Sequence, residues 1–293
     1  SGAEAVEAAM KFARKFTGKK GMVAMKGSYH GKTFGALSLT FNPKYKKAFL
    51  PLVEKVSFAT FGDMDSLRSV IDDDTSFIIL EPIQGESGIV VPPDGFLQEV
   101  RKLCDEKGIL LIFDEIQAGL GRTGRLWAGE HWNTAPDILC LAKGIAGGVP
   151  MGATLVRPDI LAVISKGEHS STFGGNPISC AAGIAALTAI TEDGLIENSK
   201  KMGEIFKEGL EKLKEKHTMI REIRGKGLMI GIEMKFEVKD ILMGLIEEGV
   251  LMLYSGRNVL RILPPLVINE ADVTKVLDAL DVVITKEEEK KNV

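Results

Sequence analysis

Apolar positions in this chain fall into short unbroken runs and into stretches with helical spacing. Leu110-Leu111-Ile112-Phe113, preceded by Gly108 and Ile109, is apolar without alternation and only a few residues long. Phe77-Ile78-Ile79-Leu80 and Asp137-Ile138-Leu139-Cys140-Leu141-Ala142 share that form, and residues 21–25 read as a further strand. Runs of this kind predict strands buried on both faces, as in a parallel sheet. At the N-terminus Ser1 and Glu4 match a capping box, Val6, Ala9, Met10 and Ala13 recur at helical spacing, and Gly18 suits the helix end. Further helices are expected over 63–71 and 95–107, the latter burying Phe96, Val100, Leu103 and Cys104. Strand, helix, strand in that order predicts βαβ units and an α/β fold, a mainly parallel sheet flanked by helices, to which 153–156 returns as a strand.

The pattern changes near Glu192-Asp193-Gly194. A charged helix to about residue 216 is followed by strands over 221–234, interrupted by Gly225, Gly227 and Gly231. A helix over 241–248, a strand over 259–263 and a last amphipathic helix carrying Val273, Val276, Leu277 and Leu280 complete the chain. This order is not βαβ and predicts a smaller α+β domain. The expected division is a large domain over 1–192 and a small C-terminal domain over 193–293. Arg261 stands inside an apolar strand, where a charge needs a partner, an acidic ligand or an edge position from which to reach water.

Composition narrows the function classes. The chain has 293 residues, 45% hydrophobic and 26% charged, enough for two domains with a sizeable core. A net charge of -3 gives no electrostatic case for nucleic acid or an anionic membrane, and no apolar run approaches a bilayer span. Cys104, Cys140 and Cys180 sit in apolar patterns without metal-ligand spacing; they read as core residues of a reducing, cytoplasmic compartment, and no metal site is expected. The sequence opens without methionine, directly on what looks like a functional loop, so an N-terminally truncated fragment is expected.

Candidate chemistry gathers where strands end, because ligands of open α/β sheets bind beyond the carboxyl ends of strands. Asp114 and Gln117 follow one buried run, and Lys143, with Gly144, Gly147 and Gly148 behind it, follows the next. An amine able to form a Schiff base, beside a carboxylate able to keep a pyridine nitrogen protonated, suggests pyridoxal phosphate chemistry. The same residues also suit a helix cap or magnesium ligand and a solvated loop lysine, so this reading stays open on spacing alone. The helix start at Gly2 and Ala3 is a ready anion site. Gly27-Ser28-Tyr29-His30-Gly31-Lys32-Thr33 sets an aromatic, an imidazole and a cation between glycines, and Glu86 lies in the loop leaving the Phe77–Leu80 run. Ser170-Ser171-Thr172-Phe173-Gly174-Gly175-Asn176-Pro177 can donate to phosphate oxygens or simply cap the helix that Pro177 begins.

Together these stretches are recognisable. Ser1-Gly2-Ala3-Glu4-Ala5, Tyr29-His30-Gly31-Lys32-Thr33, Glu81-Pro82-Ile83-Gln84-Gly85-Glu86, Asp114-Glu115-Ile116-Gln117, Lys143, the 171–177 loop and Arg261-Ile262-Leu263-Pro264-Pro265 occur in the order found in class III (ω-amino) aminotransferases. The chain resembles that family, whose members include acetylornithine, ornithine, 4-aminobutyrate and putrescine aminotransferases. The resemblance implies the fold-type I pyridoxal-phosphate transferase fold and transfer of an amino group from an ω-amino donor, acetylornithine-like first, to 2-oxoglutarate. It implies that Lys143 is the Schiff-base lysine and general base, that Asp114 pairs with the pyridinium nitrogen, and that Tyr29 and Ile116 cover the two ring faces. Gln117 would reach the ring hydroxyl, Gly2 and Ala3 would cradle the phosphate, and Thr172 with Ser171 would reach the phosphate of a neighbouring subunit in a homodimer with shared sites. Glu86 and Arg261 would form a switch, the carboxylate masking the guanidinium until glutamate or 2-oxoglutarate displaces it. Lys32 departs from the arginine usual in acetylornithine, ornithine and 4-aminobutyrate enzymes and is closer to the putrescine type, which leaves a diamine or 4-aminobutyrate as alternative donors. An aminomutase would need no such switch, and a non-catalytic scaffold would need neither Lys143 nor Asp114.

Overall fold

A computed structural model describes residues 1–291. Its strands, in chain order, are β1 (Gly21–Met25), β2 (Val56–Ala59), β3 (Thr75–Leu80), β4 (Leu110–Asp114), β5 (Ile138–Leu141), β6 (Ala153–Val156), β7 (Ile220–Lys226), β8 (Met229–Met234), β9 (Leu253–Ser255) and β10 (Val259–Ile262). The helices are α1 (Gly2–Thr17), α2 (Phe34–Leu39), α3 (Pro43–Lys46), α4 (Met64–Val70), α5 (Phe96–Lys107), α6 (Pro158–Ala162), α7 (Pro177–Glu192), α8 (Leu195–Lys216), α9 (Lys239–Glu247) and α10 (Glu270–Lys291).

The chain forms two compact units. The first comprises Ser1–Gln84, Pro92–Leu120 and Trp127–Ile190. Its six-stranded sheet has the order β2-β1-β3-β4-β5-β6 and is parallel except for β6, which runs antiparallel to β5. β3, β4 and β5 are buried along their whole length, as their unbroken apolar runs predict. The apolar face of α1, with Val6, Ala9, Met10 and Ala13, packs on Phe77, Ile112, Ile138 and Cys140 of those strands. The capping box of Ser1 and Glu4 is formed, and Gly18 closes α1 in the left-handed conformation at φ 70. This is the α/β architecture that the apolar runs predict.

The second unit comprises Gly85–Val91, Gly121–Leu126 and the chain from Thr191 onward. Its antiparallel sheet has the order β7-β8-β10-β9. Met202, Phe206 and Leu210 of α8 and Leu280, Val283 and Ile284 of α10 share a core with Ile230 and Ile232 of β8. The two short segments belong here because their backbone groups bond here. Arg224 donates through Nε to the carbonyls of Gly88 (3.0 Å) and Ile89 (3.2 Å), and Leu228 N–H donates to the Arg122 carbonyl at 3.0 Å.

Phe206 is fully buried in that core. Phe206→Ala should destabilise the second unit by about 3–5 kcal/mol, the usual cost of emptying a buried phenylalanine site. Chemical denaturation followed by circular dichroism measures it.

Candidate active site

Strand register fixes where the two decisive side chains emerge. β4 and β5 run parallel with Asp114 opposite Cys140, so Asp114 closes one strand and Lys143 lies just beyond the end of its neighbour. Lys143 opens a single turn over 143–146 with φ 48. A left-handed backbone is costly for a residue carrying Cβ and is held by its surroundings, a form of strain that gathers at functional sites. Gly147 and Gly148, at φ 58 and 108, then lead the chain away.

Asp114 is buried, and each of its oxygens has a protein donor. Oδ2 lies 2.7 Å from Nδ1 of His30, and Oδ1 accepts the Ile116 N–H at 3.1 Å. A carboxylate accepts, so the proton in the first bond belongs to Nδ1. His30 is itself buried, and its backbone N–H donates to Thr40 Oγ1 at 2.9 Å. Glu115, the next residue, is buried differently, accepting the N–H groups of Ala128 (2.5 Å) and Gly129 (2.8 Å). Burial pushes its carboxyl up to about 7, against the downward pull of those two N–H groups.

Most of the other candidates of this unit join Asp114 in a closed circuit of contacts. The Gly2 backbone lies so close to Ile116 that a Cβ there would meet Ile116 Cδ1 at 2.7 Å. Gly31, at φ 130, lies equally close to Ala3, whose Cβ would be 2.7 Å from a Cβ on the glycine. Between His30 and the helix start, Tyr29 donates its backbone N–H to Glu81 Oε1 at 3.0 Å, and its ring meets Tyr45 edge-on with centroids 6.0 Å apart. The Lys32 ammonium lies 4.8 Å from the centroid of that same Tyr45 ring, a cation–π contact. Gln117 has its Oε1 buried with no hydrogen-bond partner among the described residues. Ser171 and Thr172 are not part of this circuit and lie on an exposed loop before α7.

Glu86 and Arg261 are both in the second unit. Arg261 is buried in β10 directly across from Gly231 of β8, and a Cβ at Gly231 would come within 2.8 Å of the Gly88 carbonyl. That bare position lets the Gly85–Val91 segment lie on the sheet. Arg261 Nη1 donates to Glu86 Oε1 at 2.8 Å and to the Gly85 carbonyl at 3.2 Å, while its buried Nε has no partner among the described residues. The Glu86 side chain is 41% exposed, so this ion pair has one buried and one accessible member.

The sequence pattern that defines the "Aminotransferase class-III" family matches residues 1–284. The chain belongs to the class-III aminotransferases. It is 45% identical over 293 residues to the acetylornithine aminotransferase of Caldanaerobacter subterraneus subsp. tengcongensis, covering 98% of this chain and 74% of that one. Identity to the acetylornithine aminotransferase of Methanosarcina mazei is 48% over 282 residues, 96% of this chain and 70% of that one. Among solved structures, an ornithine aminotransferase from Toxoplasma gondii with partial occupancy of PLP superposes with a TM-score of 0.96 at 34% identity, covering 100% of this chain and 73% of that one. The protein is therefore an aminotransferase with pyridoxal phosphate as its cofactor.

The residues of this aminotransferase fit that group. Gln117 Oε1 is a buried acceptor that lacks a donor, as a ring hydroxyl would supply. Gly2 and Gly31 pack so closely on Ile116 and Ala3 that neither position admits a side chain, and the helix start beside them has N–H groups that an anion would use. Asp114 is held by His30 in one orientation. His30, Glu81 and Glu115 were given no role by sequence reasoning; the available signal was that Glu81, like Asp114, is a carboxylate directly after a buried apolar run.

Glu115 generates a stability prediction. Its folded value of about 7 lies above the ordinary 4.5, so between those values the folded chain binds this proton more tightly than the unfolded chain. Its contribution to stability therefore falls as pH rises from about 4.5 to about 7. Urea unfolding across that range should show this slope in the parent and not in Glu115→Gln, which itself costs about 1–3 kcal/mol because its amide NH2 opposes a backbone N–H.

Proposed function

We propose that this aminotransferase moves the amino group of an ω-amino donor, N-acetylornithine first, to 2-oxoglutarate. The observation that carries the reading is the Glu86–Arg261 pair. A buried guanidinium with one mono-dentate carboxylate partner and an unpartnered Nε keeps donors in reserve for a second carboxylate. With Glu86 in place its charge is masked for a donor whose distal amine reacts; with Glu86 swung toward solvent it grips the α-carboxylate of glutamate or 2-oxoglutarate.

Pyridoxal phosphate, when bound, supplies an aldehyde and an electron-accepting ring. Asp114, oriented by His30, holds a proton at the ring nitrogen. Lys143 Nζ takes and returns the proton at the amine-bearing carbon, a role worth about a hundred- to ten-thousand-fold in rate. Tyr29 and Ile116 are assigned to the two ring faces, Gln117 to the ring hydroxyl and the amides of Gly2 and Ala3 to the phosphate. Lys32 on Tyr45 presents a fixed positive charge beside Tyr29, which suits a donor with a carboxylate remote from its reacting amine. A diamine is the second reading, because Lys32 stands where the carboxylate-gripping enzymes of the resemblance carry arginine, and lysine lacks the bidentate fork.

A homodimer with shared sites is part of the same proposal. α7 is apolar all round, and Ile178 (76%) and Ile184 (69%) on it, with Phe173 (80%) before it, are exposed. A helix apolar on every side belongs in an interior or an interface. A second copy on this face would bring the exposed Ser171 and Thr172 to a neighbour's phosphate.

Steady-state assays with N-acetylornithine, putrescine and 4-aminobutyrate as donors to 2-oxoglutarate should give the highest kcat/KM for N-acetylornithine. Lys143→Ala should abolish turnover, and Arg261→Leu should raise KM for 2-oxoglutarate roughly thirtyfold, the loss of about 2 kcal/mol of charge-assisted hydrogen bonding. A preference for putrescine would move the donor to the second reading. By sedimentation the parent should be dimeric and Ile184→Glu monomeric; a monomeric, fully active parent would remove the shared-site proposal.

A further inference from the structure

The side chain that joins the phosphate end of the site to its aromatic end has no assigned role. Glu7 lies one turn beyond Ala3 on α1, so the two share a face. Its Oε1 accepts three hydrogen bonds, from Thr33 Oγ1 (2.6 Å), Gly35 N–H (2.9 Å) and Ala36 N–H (3.1 Å). Gly35 is fitted to this carboxylate, since a Cβ there would come within 2.2 Å of Glu7 Oε2. On the other side of Lys32, Gly31 is packed on Ala3. The stretch from Tyr29 to Ala36 is therefore fixed to α1 at two points, and Lys32 lies between them.

We propose that Glu7 is a positioning residue that sets Tyr29 and Lys32 against the phosphate-binding start of α1. The proposal rests on the roles given above to Tyr29, Lys32, Gly2 and Ala3. One helix face then carries both anchors. Ala3 gives its amide to the phosphate while its Cβ supports Gly31, and Glu7 holds Thr33 and the first N–H groups of α2. Freed from Glu7, the loop keeps only the Gly31 contact with α1; Tyr29 and His30 stay tied to Glu81 and Asp114, so it is the start of α1 and the Lys32 ammonium that lose their fixed spacing. All three bonds end on one oxygen, so a glutamine carbonyl in its place retains them and alanine removes them.

The test compares the holoenzymes of the parent, Glu7→Ala, Glu7→Gln and Thr17→Val. The last is a purely structural control at the other end of α1, where Thr17 Oγ1 lies 2.8 Å from Ser76 Oγ. Cofactor dissociation constant, circular dichroism of the bound cofactor, Tm, and donor KM and kcat are measured. Glu7→Ala should weaken cofactor binding and raise donor KM roughly tenfold or more, the scale of a misplacement of about an ångström, and change the cofactor's dichroism. Glu7→Gln should stay close to the parent, and Thr17→Val should lower Tm alone. If Glu7→Ala lowers only Tm, as the control does, the proposal is overturned. Should Glu7→Ala not fold, Gly35→Ala displaces the carboxylate instead, and unchanged cofactor affinity and dichroism in that variant likewise overturn it. A wrong donor assignment shows separately, as a parent that does not turn over N-acetylornithine, while the cofactor readouts remain interpretable.

Discussion

An aspartate buried at the end of a parallel strand is tolerable only where donors meet it, and the donors of Asp114 organise what surrounds it. One is the N–H of Ile116, which curls the chain back at the strand end. The other is His30, delivered by the loop after β1, and with His30 come Tyr29, Gly31 and Lys32. The bond between Nδ1 and Oδ2 thus joins strands that are not sheet neighbours, since β3 lies between β1 and β4. It leaves Asp114 in a single orientation. The adjoining Glu115 meets the same burial with two backbone N–H groups, and burial raises its carboxyl toward neutrality. Two consecutive carboxyl groups are thereby given different environments.

Much of the first unit was legible before its coordinates. Unbroken apolar runs of four to six residues predict covered strands, and each ends in a polar group, Glu81, Asp114 or the 143 turn. The register that sets Asp114 opposite Cys140 follows once β4 and β5 are neighbours. What could not be read is who satisfies whom. His30 and Asp114 are 84 positions apart, and Glu7 reaches Gly35 across 28, so nothing local marks either pair. β2 and α2 also left no clear mark: β2 is an edge strand only partly buried, and α2 is a short helix whose first N–H groups are capped by a residue from another helix.

The second unit was legible in its elements and less so in its membership. Arg261 inside an apolar strand announced a partner or an acidic ligand, and Glu86 is a partner. Gly231 looked like an interruption of a strand; across from Arg261 it is the bare spot on which a distant segment rests. Helical spacing in α8 and α10 marked the faces that bury Phe206 and Leu280. No periodicity indicates that Gly85–Val91 and Gly121–Leu126 leave one unit for the other, because that depends on single bonds such as those from Arg224 to Gly88 and Ile89.

Those two excursions bear on how the chain comes to its final form. A polypeptide cut at the joint between Ile190 and Thr191 would not separate two self-sufficient pieces: the later piece would carry Arg261 without its carboxylate and Arg224 without the carbonyls it holds. Arg224 meets Gly88 across 136 positions, so that part of the second sheet is completed only after sequence made far earlier has been brought to it. The guanidinium of Arg261 is thus neutralised by a long-range closure, from a carboxylate 175 positions earlier in the chain.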